Sequence, residues 1–164
     1  MTTQQSTFSV SEWLTGRLPS DWFSSVDVAI DREEILVVGA IDAPAESSDS
    51  QSGRIKRFRE DTRGQRIEIA LELEARTDRK VSWGVTCGEE TEIFTRLSVP
   101  AMTRLNQPQR KVLDTLVEAG VARSRSDALA WCVRLVTQHE GDWLAELESA
   151  MGSVREARAK GPSA

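Results

Sequence analysis

The sequence feature that most constrains this chain is an apolar helical segment in its last third. Six apolar side chains recur there so closely that they surround most of a helix: Ala128, Leu129, Trp131, Cys132, Leu135 and Val136. A helix at the surface of a globular protein normally buries one stripe and exposes a polar face. This segment therefore has more apolar surface than one small unit can cover, and it requires a partner surface.

Turn-forming residues place this segment second in a pair of helices. An Asn-Gln-Pro sequence ending at Pro108 supplies a helix start, because proline in the first turn loses no hydrogen bond. Gly120 stands where a left-handed residue ends a helix, and Ser124 is suited to cap the next helix. We predict a first helix at about 108–119, preceded by a short segment at 101–105 that can be extended.

The order of these elements resembles the ribbon-helix-helix DNA-binding domain over residues 100–138. The resemblance is carried by the Leu-Val-Glu-Ala-Gly end of the first helix, residues 116–120, and by the Arg-Ser-Arg-Ser-Asp-Ala-Leu run, residues 123–129. In that family two chains intertwine, and each contributes one strand to a ribbon that enters the major groove. The resemblance implies a homodimer, or a higher even oligomer, with the surplus apolar face at the dimer interface.

The resemblance also implies which residues would contact double-stranded DNA. Met102 and Arg104 would face outward from the ribbon strand, and the guanidinium of Arg104 would match the O6 and N7 acceptors of guanine. Further side chains at the N-terminus of the second helix would contact phosphate. The residues expected there are Arg123, Ser124, Arg125 and Ser126.

A second register for the ribbon strand stays open. Residues 95–99 alternate more cleanly, with Leu97 and Val99 inward and Arg96 and Ser98 outward. This register leaves a longer connection before the first helix, so we prefer the register at 101–105.

The first 99 residues predict an α+β layer of helix, hairpin, helix and hairpin. A Ser-x-x-Glu capping box at Ser9 starts a short helix. Apolar periodicity then predicts a β-hairpin at 26–41, a long helix at 54–76 and a second hairpin at 81–99. The hairpins would form a small antiparallel sheet covered by the helices, and the Ala/Ser/Asp/Pro-rich residues 42–53 would form a mobile loop.

The predicted organisation is an α+β domain at 1–99, a ribbon-helix-helix unit at 100–140, and a final helix with its tail at 141–164. The final helix carries an apolar stripe, which would either extend the dimer interface or dock another protein. The stripe consists of Trp143, Leu144, Leu147, Met151 and Val154.

A run of basic residues on the long N-terminal helix allows two interpretations. It consists of Arg54, Lys56, Arg57, Arg59, Arg63 and Arg66. These residues would either contact phosphate beside the ribbon or form a solvated face that pairs with acidic neighbours. We favour the solvated face, because charge runs on helices usually lie at the surface.

Composition argues against several classes of protein. Hydrophobic residues make up 39% and charged residues 29% of the chain, a balance typical of a globular protein. No apolar stretch approaches the roughly 18 residues of a membrane helix, and the start lacks a signal-peptide pattern. His139 is the single histidine, and no glycine-rich phosphate loop occurs. We therefore expect a cytoplasmic chain with no enzymatic activity, no cofactor and no metal site.

Together these features predict a sequence-specific DNA-binding transcriptional regulator that acts as a ribbon-helix-helix homodimer. Its N-terminal domain would contact a protein partner, a ligand or a second dimer. The alternative is a non-enzymatic, antitoxin-like interaction module in which the helical part only dimerises.

Overall fold

The computed structural model describes residues 8–43 and 48–161. The chain divides into two compact units, Met1–Ala101 and Met102–Ala164. Within the described residues there are six helices and one four-stranded sheet, so the predicted α+β class is confirmed. All four strands lie in the N-terminal unit.

The N-terminal unit alternates helices and strands. Its elements are α1 (Val10–Arg17), β1 (Ser25–Ile30), β2 (Glu34–Ile41), α2 (Ser48–Asp61), α3 (Arg63–Thr77), β3 (Lys80–Cys87) and β4 (Glu90–Ile93). The capped first helix is confirmed: the hydroxyl of Ser9 accepts a hydrogen bond from the amide of Glu12 at 3.4 Å. The first hairpin is confirmed as well, because β1 and β2 pair antiparallel.

The sheet has the order β1-β2-β3-β4. The prediction of an antiparallel sheet is wrong for its central pair. β2 and β3 run parallel, from Glu34 opposite Lys80 to Ile41 opposite Cys87, whereas the two outer pairs are antiparallel. The reason is that α2 and α3 return the chain to the edge where β2 began, and parallel neighbours require such a crossover.

Apolar side chains from the helices and the sheet close one core in this unit. Its main cluster consists of Leu14, Trp22, Ile35, Val37, Ile69, Leu73 and Trp83. β2 contributes alternate residues to it, as the period of two in a strand requires. A smaller cluster of Ile55, Val85 and Cys87 lies where α2 meets β3.

The prediction of a long helix at 54–76 is wrong about where the helix begins. α2 begins at Ser48, so the loop predicted at 42–53 is shorter than expected. Residues 44–47 of that predicted loop lie outside the described residues.

The same predicted helix is also broken at Thr62, where α2 gives way to α3. The hydroxyl of Thr62 donates to the carbonyl of Phe58 at 2.6 Å and accepts from Nε of Arg66 at 3.0 Å. Nη2 of Arg66 donates to the carbonyl of Arg59 at 2.7 Å. The side chain of Arg66 thus occupies a carbonyl that would otherwise accept a backbone hydrogen bond of the helix, and this interrupts the helix.

The second hairpin is shorter than the predicted 81–99, because β4 ends at Ile93. The chain leaves the sheet at Phe94, whose ring centroid lies 4.8 Å from the guanidinium of Arg66 and 5.2 Å from that of Arg59. These cation–π contacts hold the ring against the helices. Residues 95–106 then form neither helix nor strand.

The C-terminal unit consists of three helices, α4 (Gln107–Glu118), α5 (Arg125–His139) and α6 (Gly141–Lys160), and all three were predicted. Asn106 caps α4 through reciprocal hydrogen bonds with Gln109. Gly120 has a φ of 73°, the left-handed geometry expected after a helix. Ser124 caps α5 by accepting from the amide of Asp127 at 3.2 Å.

An ion pair fixes the start of α5 against α4. Arg125 donates from Nε to one oxygen of Asp114 at 2.6 Å and from Nη2 to the other at 2.8 Å. Such a bidentate pair combines two charge-assisted hydrogen bonds with a defined geometry. The hydrogen bonds from Arg125 lower the pKa of Asp114 below its ordinary value of 3.8.

Two leucines of α3 give a test of the N-terminal core. Leu73 is fully buried, whereas Leu71 is 60% exposed. Leu73→Ala is expected to lower the free energy of unfolding by about 2–5 kcal/mol, and Leu71→Ala by less than about 0.5 kcal/mol. Urea unfolding followed by tryptophan fluorescence measures this, since Trp22 and Trp83 lie in the same cluster. Equal losses in the two variants would contradict the described core.

The Asp114–Arg125 pair predicts a pH dependence. Because the pKa of Asp114 is lower in the folded chain, the pair stabilises that state above pH 3.8, and the contribution is lost as pH falls through the lowered value. In Arg125→Gln the pKa of Asp114 should rise, whereas Arg158→Gln, which removes a distant charge, should leave it unchanged. NMR titration of the carboxyl carbon reads the pKa directly. An identical pKa in all three proteins would show that the pair does not form.

Candidate functional site

Four of the predicted DNA-contacting residues meet at the N-terminus of α5. Arg123 and Ser124 precede the helix, and Arg125 and Ser126 form its first turn. The side chain of Arg123 is 94% exposed, while its backbone amide donates to Asp127 at 3.0 Å. This hydrogen bond, with the nearby guanidinium, lowers the pKa of Asp127. The turn therefore combines an exposed cation with a firmly ionised carboxylate.

Arg125 differs from Arg123 in the use of its donors. Two of its nitrogens are occupied by Asp114, and the hydrogen bonds raise its pKa further. A phosphate would have to compete with a carboxylate already bound in a bidentate manner. In this geometry Arg125 holds the helix start in place. Arg123 forms a longer ion pair, with its Nε 3.6 Å from a carboxylate oxygen of Asp127, and it is the arginine of this turn that is more accessible to an anion.

The predicted ribbon segment, residues 101–105, forms neither helix nor strand in this single molecule. Met102 is 96% exposed, and Arg104 is exposed beside it. Leu105 packs against the cluster formed by α4 and α5, which anchors one end of the segment. Among the described residues, no hydrogen bond or ion pair joins Arg104 to the group at the start of α5.

The alternative ribbon register at 95–99 has a similar character. Residues 95–99 also lie outside any strand of the described chain. Leu97 is 36% and Val99 51% exposed, so the two residues expected to face inward still lack a covering surface. Exposure alone does not separate the two registers.

The C-terminal unit leaves most of its apolar side chains uncovered. Within its described residues, only Leu113, Ala122 and Ala128 are buried. Apolar side chains remain exposed on all three helices and on the turn before α5, among them Val112, Val121, Val133, Val136, Trp143, Leu144, Leu147, Met151 and Val154. Large exposed apolar surfaces are typical of interaction sites, so these side chains are candidates for one.

The basic run of α2 and α3 is not one continuous face. Neither the phosphate-contacting interpretation nor the solvated-face interpretation therefore fits all six of its residues. Lys56, Arg57 and Arg63 are exposed, and Arg59 pairs with Glu92 at 3.0 Å. Arg66 instead is only 7% exposed, and burial lowers its pKa.

Sequence reasoning missed the burial of Arg66, although one signal was present. Arg66 falls between Thr62 and Ile69 at helical spacing, and it therefore continues the buried stripe formed by those residues and Leu73. Its long aliphatic stem suits such a position, because arginine can bury its stem while its guanidinium finds partners.

The N-terminal unit also contains an open cleft of about 590 Å³ beside α2. Trp22, Phe23 and Phe58 contribute aromatic surface to it, and Arg57 and Asp61 contribute charges of both signs.

Across residues 8–43 and 48–161, no group of three or more His, Cys, Asp or Glu side chains is arranged to hold a metal ion. No helix of this described part of the chain has the length and apolar character to cross a membrane.

Comparison with known families divides the chain in a similar way to the structure. Residues 8–93 match the family described as Rv1265-like protein, N-terminal domain, and residues 106–158 match the one described as Mb1296 C-terminal domain. Each match falls within one of the two compact units. No ribbon-helix-helix family is found, and no solved structure matches.

Relatives with sequences similar to that of this chain come from mycobacteria. The chain is 55% identical over 157 residues to the uncharacterized protein Rv1265 of Mycobacterium tuberculosis and to the uncharacterized protein Mb1296 of Mycobacterium bovis. Each alignment covers 93% of this chain and 70% of the relative. The chain therefore belongs to the Rv1265-like family, with the N-terminal and C-terminal domains of that family in the same order.

Proposed function

We propose that this chain is a cytoplasmic, sequence-specific DNA-binding transcriptional regulator that acts as a homodimer in the ribbon-helix-helix manner. The observation that carries the proposal is the uncovered apolar surface of the C-terminal unit. A unit that buries only Leu113, Ala122 and Ala128 among its described residues gains little from the hydrophobic effect on its own. A second copy would cover the remaining surface.

α5 is the helix best suited to the centre of such a dimer. Val133 is 62% and Val136 47% exposed, although both lie on the helix whose sequence is most apolar. Homodimer interfaces are more apolar than other protein interfaces and resemble a domain core cut in half. Pairing α5 with a second copy would bury these valines, which water otherwise surrounds.

Residues 101–105 support the ribbon of the proposal, because they belong to no helix or strand in the single chain. Their backbone groups pair with no strand in the single chain, and backbone donors and acceptors that become buried need partners. In a ribbon shared by two chains, each strand finds these partners only in the other copy. With Leu105 inward against α4 and α5, alternation directs Met102 and Arg104 toward the major groove.

Phosphate contacts would come from the turn before α5. The first amides of a helix lack partners within the helix, and the helix dipole favours an anion at that end. Arg123 adds an exposed charge there, and the Asp114–Arg125 pair keeps the turn in position. Such contacts set the register on DNA and make binding strongly dependent on salt, whereas the ribbon reads the sequence.

Arg104 provides the test of DNA recognition. The wild-type chain first selects its site from a random duplex library, and fluorescence anisotropy then measures affinity for that site. Arg104→Ala is expected to lose about 1–3 kcal/mol of binding, because its contact to guanine is removed. Arg32→Ala, which removes an exposed charge from the N-terminal unit, should bind as the wild type does.

Two outcomes would contradict this assignment. If selection enriches no sequence, the chain does not read DNA, and the alternative of an interaction module that only dimerises is favoured. If Arg104→Ala binds the selected site as tightly as the wild type, residues 101–105 are not the reading strand.

Val133 provides the test of the dimer. Val133→Asp should raise the dissociation constant for self-association by about 100-fold, because it places a charge in an apolar interface. Gln138→Asp, on another face of α5, should leave self-association unchanged. Sedimentation equilibrium over a range of concentrations measures both. Unaltered association of Val133→Asp would exclude α5 from the interface.

A further inference from the structure

α6 is a long helix with almost no support from its own chain. It spans twenty residues, and none of its side chains is buried. Gly152 lies in its interior, where glycine weakens a helix relative to alanine. Most helical stability in proteins comes from the packing of an apolar face against other elements. The helix therefore requires a surface outside the described chain to pack against.

The apolar stripe of α6 has the spacing of a coiled coil. Leu144, Leu147, Met151 and Val154 follow one another at intervals of three, four and three residues, as the a and d positions of a heptad do. All four are exposed. The seam formed by these two positions is narrow and fits one helical partner, and Trp143, which is 54% exposed, widens it on one side.

The charges of α6 are divided between its two halves. The first half carries Asp142, Glu146 and Glu148 and no base, whereas the second half carries Arg155, Arg158 and Lys160 with one acid, Glu156. None of these seven side chains forms an ion pair within the part of the chain that the structure describes. The helix thus has an acidic half and a basic half that do not neutralise each other.

We propose that α6 pairs with α6 of a second copy of this chain in an antiparallel coiled coil. In that orientation the acidic half of each helix lies along the basic half of the other. The register that packs Met151 against the second copy's Val154 brings Glu148 near the second copy's Arg155. A parallel pair would place like charges beside each other. The charge pattern therefore selects both the partner and the orientation, and the inference holds whether or not the chain binds DNA.

Charge reversal tests the pairing and its orientation together. Glu148→Arg and Arg155→Glu should each raise the dissociation constant for self-association about tenfold, because two symmetric attractive pairs become repulsive. The double variant Glu148→Arg, Arg155→Glu restores both pairs with inverted polarity. It should return the dissociation constant to within about threefold of the wild type. Sedimentation equilibrium of the full chain measures all four proteins.

Rescue in the double variant cannot arise inside one helix, since residues 148 and 155 are too far apart to meet there. Ser149→Glu, on the opposite side of α6 from Leu147, is the matched control and should leave association unchanged. Circular dichroism establishes that each variant keeps its helices. A double variant no tighter than the single variants, or single variants as tight as the wild type, would overturn the antiparallel pairing.

The same measurements separate this inference from the proposed function. If the charge variants behave as expected while no DNA site is selected, the α6 pairing stands and the regulator assignment fails. If DNA recognition depends on Arg104 while the charge variants associate as the wild type does, the regulator assignment stands and the α6 pairing fails.

Discussion

The need to cover apolar surface governs the C-terminal half of this protein. Burial of apolar area is the main favourable term in folding, worth roughly 25 cal/mol for each Å² removed from water. The C-terminal unit buries one leucine and two alanines within its described residues, which is little for three helices. Local devices such as the caps at Asn106 and Ser124 fix where helices begin, but they do not replace a core. The exposed valines of α5 and the stripe of α6 are consequences of this shortage.

The N-terminal unit solves the same problem within one chain. Its β2–β3 crossover brings two helices onto the sheet, and their apolar residues close a core around Trp22 and Trp83. The crossover also buries an arginine, Arg66, at the α2–α3 junction. Arg66 is satisfied there by a hydroxyl, a carbonyl and an aromatic ring, which explains why a charged side chain is tolerated without a carboxylate. Its guanidinium is therefore bound within the fold and does not contribute to a phosphate-binding face.

The elements of the fold could be predicted from local signals in the sequence. The contacts between residues distant in sequence could not be predicted in this way. Ser9, Gly120 and Ser124 act on their immediate neighbours, so the sequence alone located the helices that they begin or end. The break at Thr62 depends on Arg66, and the position of Arg66 depends on Phe94, almost thirty residues later. The parallel pairing of β2 and β3 is equally non-local. In the candidate site, the exposed residues were identifiable, but the engagement of Arg125 by Asp114 required the α4–α5 packing to be known.

If two chains build the ribbon, recognition and assembly become one process. A single chain has residues 101–105 without a pairing strand, so the surface proposed to read DNA does not exist below the concentration at which the chains associate. Anything that binds only the assembled state stabilises it by mass action. DNA would therefore promote dimerisation, and occupancy would rise more steeply with protein concentration than a single binding step allows. An antiparallel α6 pair would shift the concentration at which this happens, because every added contact between copies lowers the dissociation constant that controls it.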